Sequence, residues 1–123
     1  MAREFPITDA DRGWRASLEE ALAAPIPAGA RSAPVMRHGT MTTRLYAPEG
    51  EDKQTPHEQD EIYVVARGSG WFVNGAARHR FGANDMLFVP AGVVHRFEDF
   101  SDDFAVWVVF WGPDGGEGGG EAG

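Results

Sequence analysis

The sequence predicts an all-β domain, an antiparallel sandwich or barrel with one short amino-terminal helix. From about residue 35 onward the chain is a series of short apolar or alternating runs: "TMTTRLYAP", "EIYVVAR", "GWFVNGAARHRF", "DMLFVP", "VVHRFED" and "FAVWVVFW". Glycine, proline and asparagine separate them, and no helix-period pattern interrupts. About six or seven strands at this spacing, without helices between them, close on themselves as a sandwich or barrel. Asn74-Gly75 between apolar flanks adds a two-residue hairpin signal, since both turn residues need positive φ.

In chain order, residues 8–24, "TDADRGWRASLEEALAA", open with Thr8 as a possible cap and place Trp14, Leu18 and Leu22 four apart, which is helical spacing. This is a short amphipathic helix, expected to serve as a lid or flank. The proline-rich "PIPAGARSAP" that follows must be irregular. The expected organisation is therefore 1–34 helix and irregular arm, 35–111 barrel and 112–123 tail. That tail, "GPDGGEGGGEAG", is too rich in glycine and acid to pack and is expected to be disordered. The last strand, "FAVWVVFW", is apolar on both faces, so both need cover; the outer cover is the helix or a second subunit, and a homodimer is expected.

Composition narrows the function. The 123 residues suffice for one domain and one core, and a formal net charge of -8 argues against nucleic acid or an anionic membrane as partner. The chain has no cysteine, so disulfides, thiolate metal sites and cysteine nucleophiles are excluded. Any metal must use nitrogen and oxygen. The amino end has no signal-like apolar run and no stretch approaches the ~20 apolar residues of a spanning helix, so a soluble, cytoplasmic protein is expected. No phosphate loop, dinucleotide fingerprint or nucleophile elbow occurs, and "GSGW" links two strands as a turn.

Two stretches carry chemistry. In "TPHEQDEIYVVARG", residues 55–68, the polar residues His57, Gln59, Glu61 and Tyr63 alternate and would share one face of an extended chain. In "NDMLFVPAGVVHRFED", His95 follows Pro90 and Gly92. If the strands pack side by side, His57, Glu61 and His95 bring two imidazoles and one carboxylate to a common point. That donor set suits a divalent transition metal with positions left open, the catalytic rather than the structural pattern.

These stretches resemble the two motifs of the cupin superfamily. Glu61 and Gly68 show the six-residue gap of the first motif, with His57 in the place of its second histidine. "PAGVVH", Pro90 to His95, fits the second motif residue for residue, with Asn84 at its glycine position and Asp99 at its closing asparagine. The resemblance covers about residues 35–111 and implies a jelly-roll-like β-barrel with a metal inside, held by His57, Glu61 and His95. The implied ion is Fe, Zn, Ni or Mn. Thr55 stands where the family's first histidine would be, which leaves Gln54, Gln59 or water for the fourth position.

Around this set, Gln59 and Tyr63 are candidates for the pocket wall and for acid, base or orienting roles toward a small polar molecule. Glu58 and Asp60 are expected to be solvated on the opposite face. His38 and His79 are read as surface residues, and Trp71, Trp107 and Trp111 as core. Arg44 would clamp a carboxylate if it faced inward, but an outward arginine is the preferred expectation. Two functions remain open: a metal-dependent enzyme of dioxygenase, isomerase or lyase type, or a non-catalytic ligand-binding or sensor barrel with weak or no metal.

Overall fold

A computed structural model describes residues 13–118. One helix, α1 (Leu18–Ala23), precedes eight strands: β1 (Ala33–His38), β2 (Met41–Tyr46), β3 (Asp60–Arg67), β4 (Gly70–Asn74), β5 (Ala77–Phe81), β6 (Met86–Val89), β7 (His95–Glu98) and β8 (Ala105–Trp111). They form two antiparallel sheets, a five-stranded one in the order β1-β2-β8-β3-β6 and a three-stranded one in the order β5-β4-β7. The fold is an antiparallel β-barrel, as the strand pattern predicts. Strand β1 was the one hidden from the pattern, because Pro34 and the prolines before it read as irregular chain; a bulge between Pro34 and Met36 accommodates it.

The two sheets enclose a strongly aromatic core. Tyr63, Phe72, Phe97 and Phe104 are fully buried there with Phe81 and the aliphatic residues Val65, Val89, Val106 and Val108. Phe72 and Phe97 pack at a ring-centroid distance of 4.8 Å, and Phe97 and Phe104 at 4.7 Å. This wedge fills one end of the barrel and leaves the other open, which is where the polar residues gather. A second, smaller cluster lies outside the barrel: Ala21 of α1, with Leu18 and Leu22, packs on Val35, Leu45 and Trp107. The helix therefore flanks the sheet rather than forming a lid.

Several boundaries differ from expectation. The helix is one and a half turns long, and its cap is Ser17, whose side chain accepts from Glu20 N while Glu20 Oε1 accepts from Ser17 N, a complete capping box. Trp14 lies before it with φ of 55°, and Thr8 lies outside the described residues. The β4–β5 turn is Gly75-Ala76, one residue later than the hairpin signal: Asn74 still pairs with Ala77 and His95, and its side-chain amide donates to Phe88 O at 2.8 Å. Gly75 supplies the positive φ of 60°. Asn84 does adopt positive φ, 74°, at the motif's glycine position.

Of the expected tail, residues 119–123 lie outside the described residues, and residues 112–118 hydrogen-bond back to the barrel. Gly115 N donates to Glu58 O at 2.7 Å and Glu117 N to the Asp60 carboxylate at 2.9 Å. Asp60, expected to be solvated, is buried and also accepts from Ala91 N at 3.0 Å. An acidic side chain that satisfies backbone N–H groups from two loops is buried for hydrogen bonding, a role that strand alternation does not reveal. Among the described residues no helix is long and apolar enough to cross a membrane.

Candidate metal centre

The site lies at the polar end of the barrel. Glu61 pairs with Val89 on one side and Phe110 on the other, which fixes it on an interior strand of the large sheet with its side chain turned inward and 1% exposed. His95 opens β7 on the small sheet and faces Glu61 across the barrel; its side chain is fully buried. His57 is not on the strand that the alternation predicted. It lies in the connection before β3, just after Pro56, and is held there because its carbonyl accepts from Gly92 N at 2.7 Å. One backbone hydrogen bond thus ties the first motif to the second.

The three side chains converge: one ligand atom from each of His57, Glu61 and His95 lies within 4.8 Å of the other two. His95 Nε2 is 3.2 Å from Glu61 Oε1, and His57 Nε2 is 3.8 Å from Glu61 Oε2. The imidazole rings of His57 and His95 are 5.1 Å apart, and Phe110 packs on His57 at 4.8 Å. The Nδ1 of His95 is 2.8 Å from Val93 O, so Nδ1 carries the proton as donor and, in the neutral ring, Nε2 turns its lone pair toward Glu61.

Electrostatics separate the two histidines. Burial lowers the His57 pKa more than the Glu61 charge raises it. Burial also pulls on His95, but the Glu61 carboxylate and the Val93 carbonyl outweigh it and hold His95 above the ordinary imidazole range. Tyr63 is pushed well above its usual value by burial and then by the Glu61 charge, so it remains a hydroxyl. Glu61 Oε1 is buried without a hydrogen-bond partner; His95 Nε2 is near enough to attract it but not aligned to bond. A carboxylate oxygen left so is costly unless a cation meets it. Two imidazole nitrogens and a carboxylate around an orphaned oxygen fit a divalent transition metal.

The cluster opens into a cavity of about 910 Å³ whose wall includes Tyr46, Gln54, Gln59, Tyr63, Arg31 and Arg44. Arg44 is therefore inward, against expectation. It pairs with Val108 on β8, and its guanidinium donates to Ser32 Oγ at 2.6 Å and Ser32 O at 3.0 Å. Gln59 reaches the rim, donating to Gly112 O at 2.8 Å and Thr40 O at 3.3 Å. Tyr63 contacts the cluster itself, with its hydroxyl 3.1 Å from His95 Nε2. Thr55 also lines the cavity but is exposed. His38 and His79 are exposed, as expected. Of the tryptophans, Trp107 packs under α1, Trp71 is covered by Arg78 at 4.2 Å, and Trp111 contacts Phe88.

Sequence reasoning missed Asp52. It reaches inward from the long connection between β2 and β3 and accepts four hydrogen bonds, from Tyr46 OH, Gln54 N, Gln54 Nε2 and Phe97 N. In "GEDKQT" nothing distinguishes it from its acidic neighbours, since loop residues carry no alternation to mark the inward one.

With fold and site in place, similarity to known proteins decides the family. A model of the Cupin domain matches residues 42–111, more than half of the chain. The chain belongs to the cupin family. An uncharacterized protein of Streptomyces coelicolor is 37% identical over 81 residues, covering 64% of this chain and 77% of that one. Among solved structures, protein BH2720 of Bacillus halodurans aligns with a TM-score of 0.64 at 15% identity, covering 78% of this chain and 77% of its own. A cupin 2 conserved barrel domain protein of Salinispora arenicola aligns with a TM-score of 0.56 at 22% identity, covering 80% and 87%. At these identities the solved structures speak for the cupin barrel.

Proposed function

We propose that this cupin binds one divalent transition metal through His57, Glu61 and His95 and acts on a small anionic molecule that enters the open end of the barrel. The observation that carries this is the buried, unpartnered Glu61 Oε1 facing His95 Nε2 at 3.2 Å. A bound ion would supply a Lewis-acid centre, or oxygen activation if it is iron. The chain's own residues do the rest. Phe110 and the Val93 carbonyl fix the two imidazoles. Tyr63, whose proton is firmly held and given to Gln54 Oε1 at 2.8 Å, orients the pocket wall beside the cluster rather than acting as a base. Gln59, with its amide spent on Thr40 and Gly112, shapes the rim. Arg31, Arg37 and Arg44 line the cavity of a chain whose net charge is -8, and that concentration of guanidinium favours a carboxylate or similar anion.

Elemental analysis of protein purified without added metal should find close to one transition-metal ion per chain. His57→Ala and His95→Ala should each lose it while the barrel stays folded, and full retention in both overturns the assignment. A second function, a non-catalytic ligand-binding or sensor barrel, is favoured by one feature: Tyr63 holds its proton and is already engaged, so the cluster offers no poised general base. Binding of small carboxylates without turnover in the metal-loaded protein would select it.

The homodimer fits the outer face of the large sheet. Met86 and Phe88 of β6 are exposed there, 68% and 49%, and Trp111 of β8 contacts Phe88. A dimer by light scattering that Phe88→Glu converts to monomer supports this, and a wild-type monomer overturns it.

A further inference from the structure

Resting on the metal-binding function just proposed, we infer that the side-chain oxygen of Gln54 is the fourth protein donor to the ion, and that Asp52 is the residue that aims it. Thr55, at the position of the family's missing histidine, is exposed. Its neighbour Gln54 is directed into the cluster: Oε1 is 3.4 Å from His57 Nε2 and 2.8 Å from Tyr63 OH. Ligand atoms each about 2.1 Å from one ion lie roughly 3.0 to 3.4 Å apart in octahedral or tetrahedral arrangements. The spacing of Gln54 Oε1 from His57, and of His95 from Glu61 at 3.2 Å, falls in that range.

The orientation of the amide follows from chemistry. Gln54 Nε2 donates to Asp52 Oδ2 at 2.7 Å, and a carboxylate oxygen that also accepts Phe97 N at 2.8 Å can only be met by a donor. The NH2 must therefore face Asp52, and the oxygen must face the cluster. Asp52 is in turn fixed by Tyr46 OH at 2.5 Å and Gln54 N at 3.1 Å, so the amide is held at both ends. Gln54 Oε1 accepts the one proton of Tyr63, which leaves its second lone pair for an ion. Because the Tyr63 proton is spent there, the Nε2 lone pair of neutral His95 is also left for the ion. An amide oxygen is a neutral donor, so the site carries a single ligand charge, that of Glu61.

Titration with Co²⁺, read by calorimetry and by visible absorption, tests this without any activity assay. Wild type should bind one Co²⁺ per chain. Gln54→Leu should weaken binding at least tenfold and alter the absorption bands, Asp52→Ala should weaken it similarly, and Thr55→Ala should change neither. Unchanged affinity and spectrum in Gln54→Leu would overturn the Gln54 assignment while the three-ligand site stands. Failure of wild type to bind Co²⁺ overturns both. Should Gln54→Leu not fold, the wild-type protein still decides. The chain has two glutamines, Gln54 and Gln59, and Co²⁺ should drive one side-chain amide resonance far outside the ordinary window. Both amides remaining in that window counts against Gln54.

Discussion

The two halves of the candidate metal centre are built differently. Glu61 and His95 project from strands that are paired on β3 and β7, and both are buried to within a few per cent. His57 and Gln54 come from the strandless connection between β2 and β3, where position depends on a few hydrogen bonds: Gly92 N to His57 O, the Gln54 amide to the Asp52 carboxylate, and Tyr63 OH to Gln54 Oε1. The difference teaches that a strand places a ligand by its register, whereas a loop places one only as well as its supporting contacts allow.

Removing one residue from each half should expose this, and the largest effect falls on the strand side. His95→Ala empties a fully buried position between Tyr63 and Phe72 and should cost about 2–4 kcal/mol of metal-free stability. His57→Ala, 30% exposed at its side chain, should cost under about 1 kcal/mol. Denaturant unfolding of both variants checks this, and equal losses would erase the distinction. Next comes Asp52→Ala, which strands Phe97 N and the Tyr46 hydroxyl and should cost about 2–3 kcal/mol. Amide exchange should accelerate through residues 52–57 well before the strands.

The pH response sharpens the comparison. His95 has a raised pKa in the folded state, so its contribution to metal-free stability is present below the ordinary imidazole pKa and fades as pH rises through the folded value. His57 has a lowered one, so the folded state resists its protonation, and stability falls as pH drops through the ordinary imidazole range. Metal binding needs both rings neutral. Affinity should weaken about tenfold per pH unit once His95 holds its proton, and more steeply when His57 follows. A pH series of Co²⁺ titrations measures this; a flat profile between pH 5 and 8, roughly the imidazole range, contradicts it. The smallest effect is Arg78→Ala, remote from the site, where an exposed pair with Glu98 and a cation over Trp71 should yield under about 1 kcal/mol.

The same contrast explains what the sequence disclosed. The barrel was legible because apolar runs of strand length leave few other solutions, and Glu61 and His95 were legible because strand alternation and the Pro90–His95 turn specify direction. His57 converges with them in space although it is not on the strand that alternation predicts, since Pro56 and the lack of a pairing partner before Asp60 stop β3 short. Arg44 was misjudged because burial of a guanidinium depends on Ser32, which no periodicity links to it. Asp52 and Asp60 were invisible for a shared reason: each is buried by backbone N–H groups from distant segments, and only the folded chain shows which acid of a charged run has such partners.

Asp60 also bears on where this barrel can be cut. Its carboxylate is shared between the turn before His95 and the segment after Trp111, and a methyl group at Gly116 would approach Asp60 Oδ1 to 2.7 Å. A fragment ending at Trp111 keeps every described strand, yet it removes the Glu117 donor from a buried acid and the Gly115 donor from Glu58 O. For fragment design, the last strand is therefore not the last structural residue, and a useful shortest version of this domain extends at least through Glu117.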